Sequence, residues 1–145
     1  MQGSWPLMSD PDLSVEIQAQ DVTTWLAADH DSWATTTRFH ARNHERDGVV
    51  VLTATSAIGV VGYAVFDRQM SHLHYIETRK DCRRRGVASR TWARVREEAV
   101  HRDITACADT EDGKRRLAAW GFVEADGMWT WKRARPAGYG AMSRP

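Results

Sequence analysis

The chain has 145 residues, enough for one domain that buries roughly two-thirds of its unfolded surface without staples. Its 20 Lys and Arg against 19 Asp and Glu leave a net charge of +1, which excludes a surface built wholly for nucleic acid. Two cysteines, Cys82 and Cys107, outside any Cys-x-x-Cys spacing exclude a disulfide framework, and no apolar run approaches the ~20 residues that span a bilayer.

Residues 1–11 carry Gly, Pro and Ser without pattern and read as a flexible N-terminus. They lack the basic start and apolar centre of a secretory signal, so a cytoplasmic protein with reduced thiols is expected, with no membrane partner. Residues 13–17 alternate apolar and polar, which predicts a first strand. Asp21 is placed to cap a helix containing Val22, Trp25 and Leu26, and a second helix fits within 31–44. Residues 49–55 and 60–66 are β-branched runs around a short connection, hence an antiparallel hairpin, and 71–78 adds the next strand. After a basic turn, Ala88, Trp92, Val95 and Ala99 form one apolar stripe of a helix over 87–102. A short strand at 104–108, a helix at 114–120 and a hairpin of 122–124 with 128–131, turned at Asp126-Gly127, complete a domain spanning 12–132. The Arg-, Gly- and Pro-rich residues 133–145 read as a disordered tail. Among the seven tryptophans, Trp25 and Trp33, with Phe39, either anchor helices to the sheet or line an aromatic pocket.

Two stretches carry chemistry. Arg83-Arg84-Arg85-Gly86-Val87-Ala88 joins a strand to a helix, so unpaired N–H groups, the helix N-terminus and three guanidinium charges converge where a phosphate can sit. His72 and His74 stand two apart on a strand and share a face, where imidazoles can take a proton near neutral pH. Glu77 is a further base candidate, turned to the opposite face unless a bulge shifts the alternation. Zinc held by His72 and His74 with His40 or His44 has no recognised ligand spacing, and no metal is expected.

Arg83-x-x-Gly86-x-Ala88 resembles the Gln/Arg-x-x-Gly-x-Gly/Ala signature of the GNAT acetyltransferase superfamily. Val61-Gly62-Tyr63-Ala64 resembles the family's third strand, and Leu117-Ala118-Ala119-Trp120-Gly121-Phe122 its last helix ending in Gly-Phe. The resemblance implies an α/β (α+β) fold: a mixed, mostly antiparallel sheet of six to seven strands, about four helices, and central strands splayed around acetyl-CoA. It implies main-chain contacts from Ile76, Glu77 and Thr78 to pantetheine and the thioester, and from Arg83, Arg84, Arg85, Gly86, Val87, Ala88 and Ser89 to the pyrophosphate. The implied activity is N-acetyl transfer, direct from acetyl-CoA to a primary amine. His72-Leu73-His74 resembles the His-x-His pair of the serotonin N-acetyltransferases, a branch of that family, which implies His72 and His74 as base or relay. The acceptor is expected to be a small-molecule amine entering over the N-terminal helices past Trp25, Trp33 and Phe39. A protein or nucleic-acid amine is the alternative, motivated by Lys114, Arg115, Arg116, Arg133 and Arg135. Many relatives carry a tyrosine, positioned to protonate the leaving thiolate, where this chain has Leu117. That departure motivates a third reading, a non-catalytic acyl-CoA-binding module. The resemblance leaves a homodimer open.

Overall fold

The two faces of the central strands are both apolar, and each face is covered by helices. In the computed structural model, which describes residues 12–134, β2 (Val49–Ser56), β3 (Gly59–Asp67) and β4 (His72–Thr78) form an antiparallel meander. The N-terminal segment 1–11 and the tail beyond residue 134, Arg135 included, lie outside the described residues. β1 (Glu16–Asp21) lies antiparallel to β2 and begins later than the alternation predicts. Leu13 and Val15 instead pack against Ala54, Val61, Cys82 and Val87.

On one face lie α1 (Val22–Ala27), a 3₁₀ turn at Ser32–Ala34 and α2 (Thr35–Asn43). The Asp21 carboxylate accepts from the N–H groups of Thr23 and Thr24, as its N-cap role requires. Val22, Trp25, Ala34 and Ala41 meet Val49, Val51, Tyr63 and Val65 there. The opposite face, with Val50, Leu52, Ala64, Phe66 and Leu73, takes α3 (Val87–Glu98) and α4 (Glu111–Ala119). Residues of odd and even number in β2 thus serve separate cores, as strand alternation dictates. Gly62 lets α3 approach β3: a Cβ there would stand 2.9 Å from the Val87 side chain.

β5 (Ile104–Ala106) runs parallel to β4, and β7 (Met128–Trp131) and β6 (Val123–Ala125) follow antiparallel, giving the order β1-β2-β3-β4-β5-β7-β6. The seven-stranded sheet and four α-helices among the described residues are the mixed, mostly antiparallel α/β architecture expected. α4 starts three residues before the predicted helix because the Thr110 hydroxyl caps it, accepting from the Gly113 N–H. Residue 133 belongs to the domain, not to a free tail. The Arg133 N–H donates to Asp103 at 2.8 Å, and its guanidinium to the Arg96 and Arg102 carbonyls at 2.7 and 3.2 Å.

Candidate active site

Among the described residues β4 pairs with β5 only over its first two residues, His72 with Thr105 and Leu73 with Ala106. Beyond Leu73 the strands part, and the backbone of Tyr75, Ile76 and Glu77 has no ladder partner on the β5 side. A cleft of about 210 Å³ occupies the gap. Leu73, Ile76, Ala106 and Leu117 supply apolar wall, while His40, His74 and Asp109 edge it.

A second cavity, of about 250 Å³, lies at the N-terminus of α3. Gly86 forms the N-cap in the left-handed region at φ +81°, with no side-chain cap on the first helical N–H groups. Arg84 is also left-handed at φ 65°, so the turn is tightly wound. A Cβ on Gly86 would stand 2.9–3.0 Å from the Asp12 carboxylate, so Asp12 already crowds this position before any phosphate does. Thr78 is buried and its Oγ1 has no hydrogen-bond partner among the described residues, although it borders this cavity. A buried hydroxyl unpaired among the described residues, helix N–H groups without a side-chain cap and the cations Arg83 and Arg84 are a donor set that fits a pyrophosphate. Of the predicted cofactor residues, Thr78, Arg83, Arg84, Gly86, Val87, Ala88 and Ser89 border this cavity and Ile76 the cleft. Arg85 borders neither, its carbonyl accepting from the Leu13 N–H, and the Glu77 side chain turns away toward α2.

That turn of Glu77 follows from a bulge. The register of β4 on β3 slips so that Leu73 faces Phe66 while Tyr75 faces Val65, leaving His74 as the extra residue. His74 and Tyr75 therefore both meet the helices of the first face. His74 stacks on His44 with centroids 3.6 Å apart, Tyr75 stacks on His40 at 4.5 Å, and the Thr37 hydroxyl donates to Glu77. Glu77 consequently shares the face of the histidine pair, where simple alternation would have turned it away. His72 completes the group, its ring 4.7 Å from that of His74 and its Nδ1 2.6 Å from the Thr105 hydroxyl.

Four imidazoles thus pack in one cluster, and His40 and His44 were not among the catalytic candidates. Their spacing of four, one helical turn, is the signal that places them together. Burial, reinforced by His44 and His72, pushes His74 down to about 4. Burial also lowers His72, His44 and His40, the last opposed by the Asp109 and Glu77 charges. The rings face one another rather than a common point, and among the described residues no group of three donors is placed to hold a metal.

The unfolded chain protonates His74 near 6.5 and the folded chain only near 4, so stability is lost as pH falls between them. His74→Gln is expected to flatten the fall of Tm across that window. Parallel Tm curves for the two proteins would show that His74 does not titrate in this way.

The predicted substrate-pocket aromatics are scattered. Trp25 is buried in the core against Tyr63 and His30, Trp33 packs against Tyr63, and Phe39 lies exposed on α2; none borders either cavity. Sequence reasoning missed the cleft residue Asp109 and the contribution of Trp120 to the phosphate cavity.

A family model described as the acetyltransferase (GNAT) family matches residues 14–140. The chain is similar in structure to a putative N-acetyl transferase, YhhK from E. coli, bound to coenzyme A, with 16% identity, 83% of this chain and 100% of that one covered, and TM-score 0.60. It is also similar to the aminoglycoside N-acetyltransferase AAC(6')-Iy in complex with CoA, at 16% identity, 89% and 97% coverage and TM-score 0.57. A third similar structure is AtaT complexed with acetyl-methionyl-tRNAfMet, at 13% identity, 82% and 95% coverage and TM-score 0.54. At such identities the likeness shows a shared fold. No curated protein matches the sequence significantly.

Proposed function

The chain belongs to the GNAT acetyltransferase family, and from that premise we propose that it transfers the acetyl group of acetyl-CoA to a small-molecule primary amine. The observation that carries this reading is the parting of β4 from β5 beside an arginine-lined helix N-terminus. Acetyl-CoA, when bound, supplies the acetyl group and a thiolate that departs readily.

The N–H groups at the start of α3, with Arg83, Arg84 and the Thr78 hydroxyl, hold the pyrophosphate. The unpaired backbone edge from Tyr75 to Thr78 orients pantetheine and the thioester carbonyl, where aligned donors stabilise developing charge. The amine enters over α1 and α2. His74, on the cleft and neutral at pH 7, accepts the ammonium proton, and His72 stands behind it as relay. Glu77, tied to Thr37 on the same face, attracts the cationic substrate. A small acceptor is favoured over nucleic acid because most of the basic run is spent internally: Lys114 pairs with Glu111, Arg115 with Asp112, and Arg133 with backbone carbonyls.

The test is release of free CoA thiol from acetyl-CoA against a panel of polyamines, aminoglycosides, arylalkylamines and peptides. Turnover with a small amine is expected, and alanine at His72 and His74 depresses it most on the acidic side, where the ammonium form needs a base. Cofactor binding with no thiol release on any amine would contradict acetyl transfer and leave a binding module.

A further inference from the structure

The cavity at the start of α3 is lined by cations from two elements, Arg83 and Arg84 on the turn and Arg116 on α4. No carboxylate stands among the described residues that line it. The neighbours of Arg116 on α4 are paired, Lys114 with Glu111 at 3.4 Å and Arg115 with Asp112. The Arg116 guanidinium has no hydrogen bond or ion pair among the described residues. It is half-buried and rests 5.8 Å from the Trp120 ring centroid. Burial and the Arg83 charge both work against its protonated form, and the Asp112 charge works for it. Guanidinium groups gathered around one cavity without an acid repel one another, and desolvation adds to the cost. An anion that bonds to Arg83 and Arg116 together relieves both.

The place of Arg116 decides which phosphate this is. Arg116 alone among the described residues borders both this cavity and the cleft between β4 and β5. The groups that locate its guanidinium, Trp120 and Arg83, belong to the cavity, so the charge stands on the phosphate side of the junction. In coenzyme A the phosphate esterified to pantetheine is the one next to the arm that enters the cleft. The adenosine-side phosphate comes after it, and the ribose 3′-phosphate lies beyond both.

Building on the acetyl-CoA reading above, we propose that Arg116 binds the pantetheine-bearing phosphate from α4 while Arg83 and the N–H groups of the turn hold it from α3. That phosphate is then clamped between two helices, and the arm leaving it is aimed into the cleft. What α4 reads is the phosphopantetheine part of the cofactor, not its nucleotide. A guanidinium–phosphate contact in a partly dry site is among the stronger polar interactions, so its loss is measurable.

The experiment needs no acceptor. Calorimetry measures CoA and 3′-dephospho-CoA on the native chain, Arg116→Gln and Arg116→Lys, with melting curves as a control for folding. Displacement of bound CoA measures 4′-phosphopantetheine and pantetheine. Arg116→Gln is expected to weaken CoA, dephospho-CoA and phosphopantetheine alike, by about tenfold. Pantetheine, which has no phosphate, binds both proteins equally, and Arg116→Lys keeps most of the native affinity because the charge remains. Equal affinities of the native chain and Arg116→Gln for the phosphate-bearing ligands would overturn the proposal. So would a loss confined to CoA, which puts Arg116 on the 3′-phosphate, or a loss on CoA and dephospho-CoA that spares phosphopantetheine, which puts it on the adenosine side. A loss that extends to pantetheine overturns it too, because Arg116 then shapes the cleft and not the phosphate site. A native chain that binds no CoA at all overturns the cofactor reading itself, whereas CoA bound equally by both proteins overturns only the role given to Arg116.

Discussion

Gly86→Glu weakens acetyl-CoA binding on the order of a hundredfold, about 3 kcal/mol, while the domain stays folded. Three effects act together. The position is held at φ +81°, where a residue with a Cβ is strained by about 1 kcal/mol or more. The new Cβ meets the Asp12 carboxylate within 2.9–3.0 Å and displaces the segment that covers the turn. The glutamate charge then lies beside the N–H groups and arginines that would otherwise face phosphate, reversing the local field. Calorimetry of the variant, with circular dichroism as a control for folding, reads the effect. Unchanged affinity in a folded variant would mean that the cofactor does not use this turn.

Trp92→Ala lowers unfolding stability by about 3–5 kcal/mol. Trp92 is buried on α3, stacked on Trp120 with centroids 5.3 Å apart and packed against Phe122 and Trp131. Arg96 lies over its ring, so truncation removes a cation–π contact along with the aromatic ones. The cavity would open under the joint between α3, the end of α4 and β7, none of which can collapse into it without leaving the sheet. Denaturant unfolding measures the loss, and a cost under about 1 kcal/mol would show that this aromatic cluster is peripheral to stability.

The meander was legible because its runs are β-branched and its connections short, and the Asp126-Gly127 turn fixed the last hairpin, with both residues at positive φ. The phosphate turn was legible from Gly86 and its arginines, since their chemistry is local. The bulge at His74 was not. It depends on how β4 pairs with β3, and nothing within His72-Leu73-His74 itself specifies that register. Through it the side on which Glu77 stands was also hidden. The stacking of His44 on His74 and of His40 on Tyr75 joins residues far apart in the chain, which periodicity along one segment cannot reveal. Trp25 illustrates the reverse case: its helical spacing marked an apolar face, but whether that face meets core or ligand is decided by Tyr63 beneath it. Arg116 read as one cation of the basic run that motivated a protein or nucleic-acid acceptor, and only the acids paired with its two neighbours set it apart.

The most direct test of the central claim is calorimetric titration of the native chain with acetyl-CoA. Binding of one acetyl-CoA per chain with micromolar affinity is the expected result, because the parted strands and the turn before α3 are in place without further folding. No heat of binding, with the chain folded, would contradict the assignment of both cavities and the function built on them.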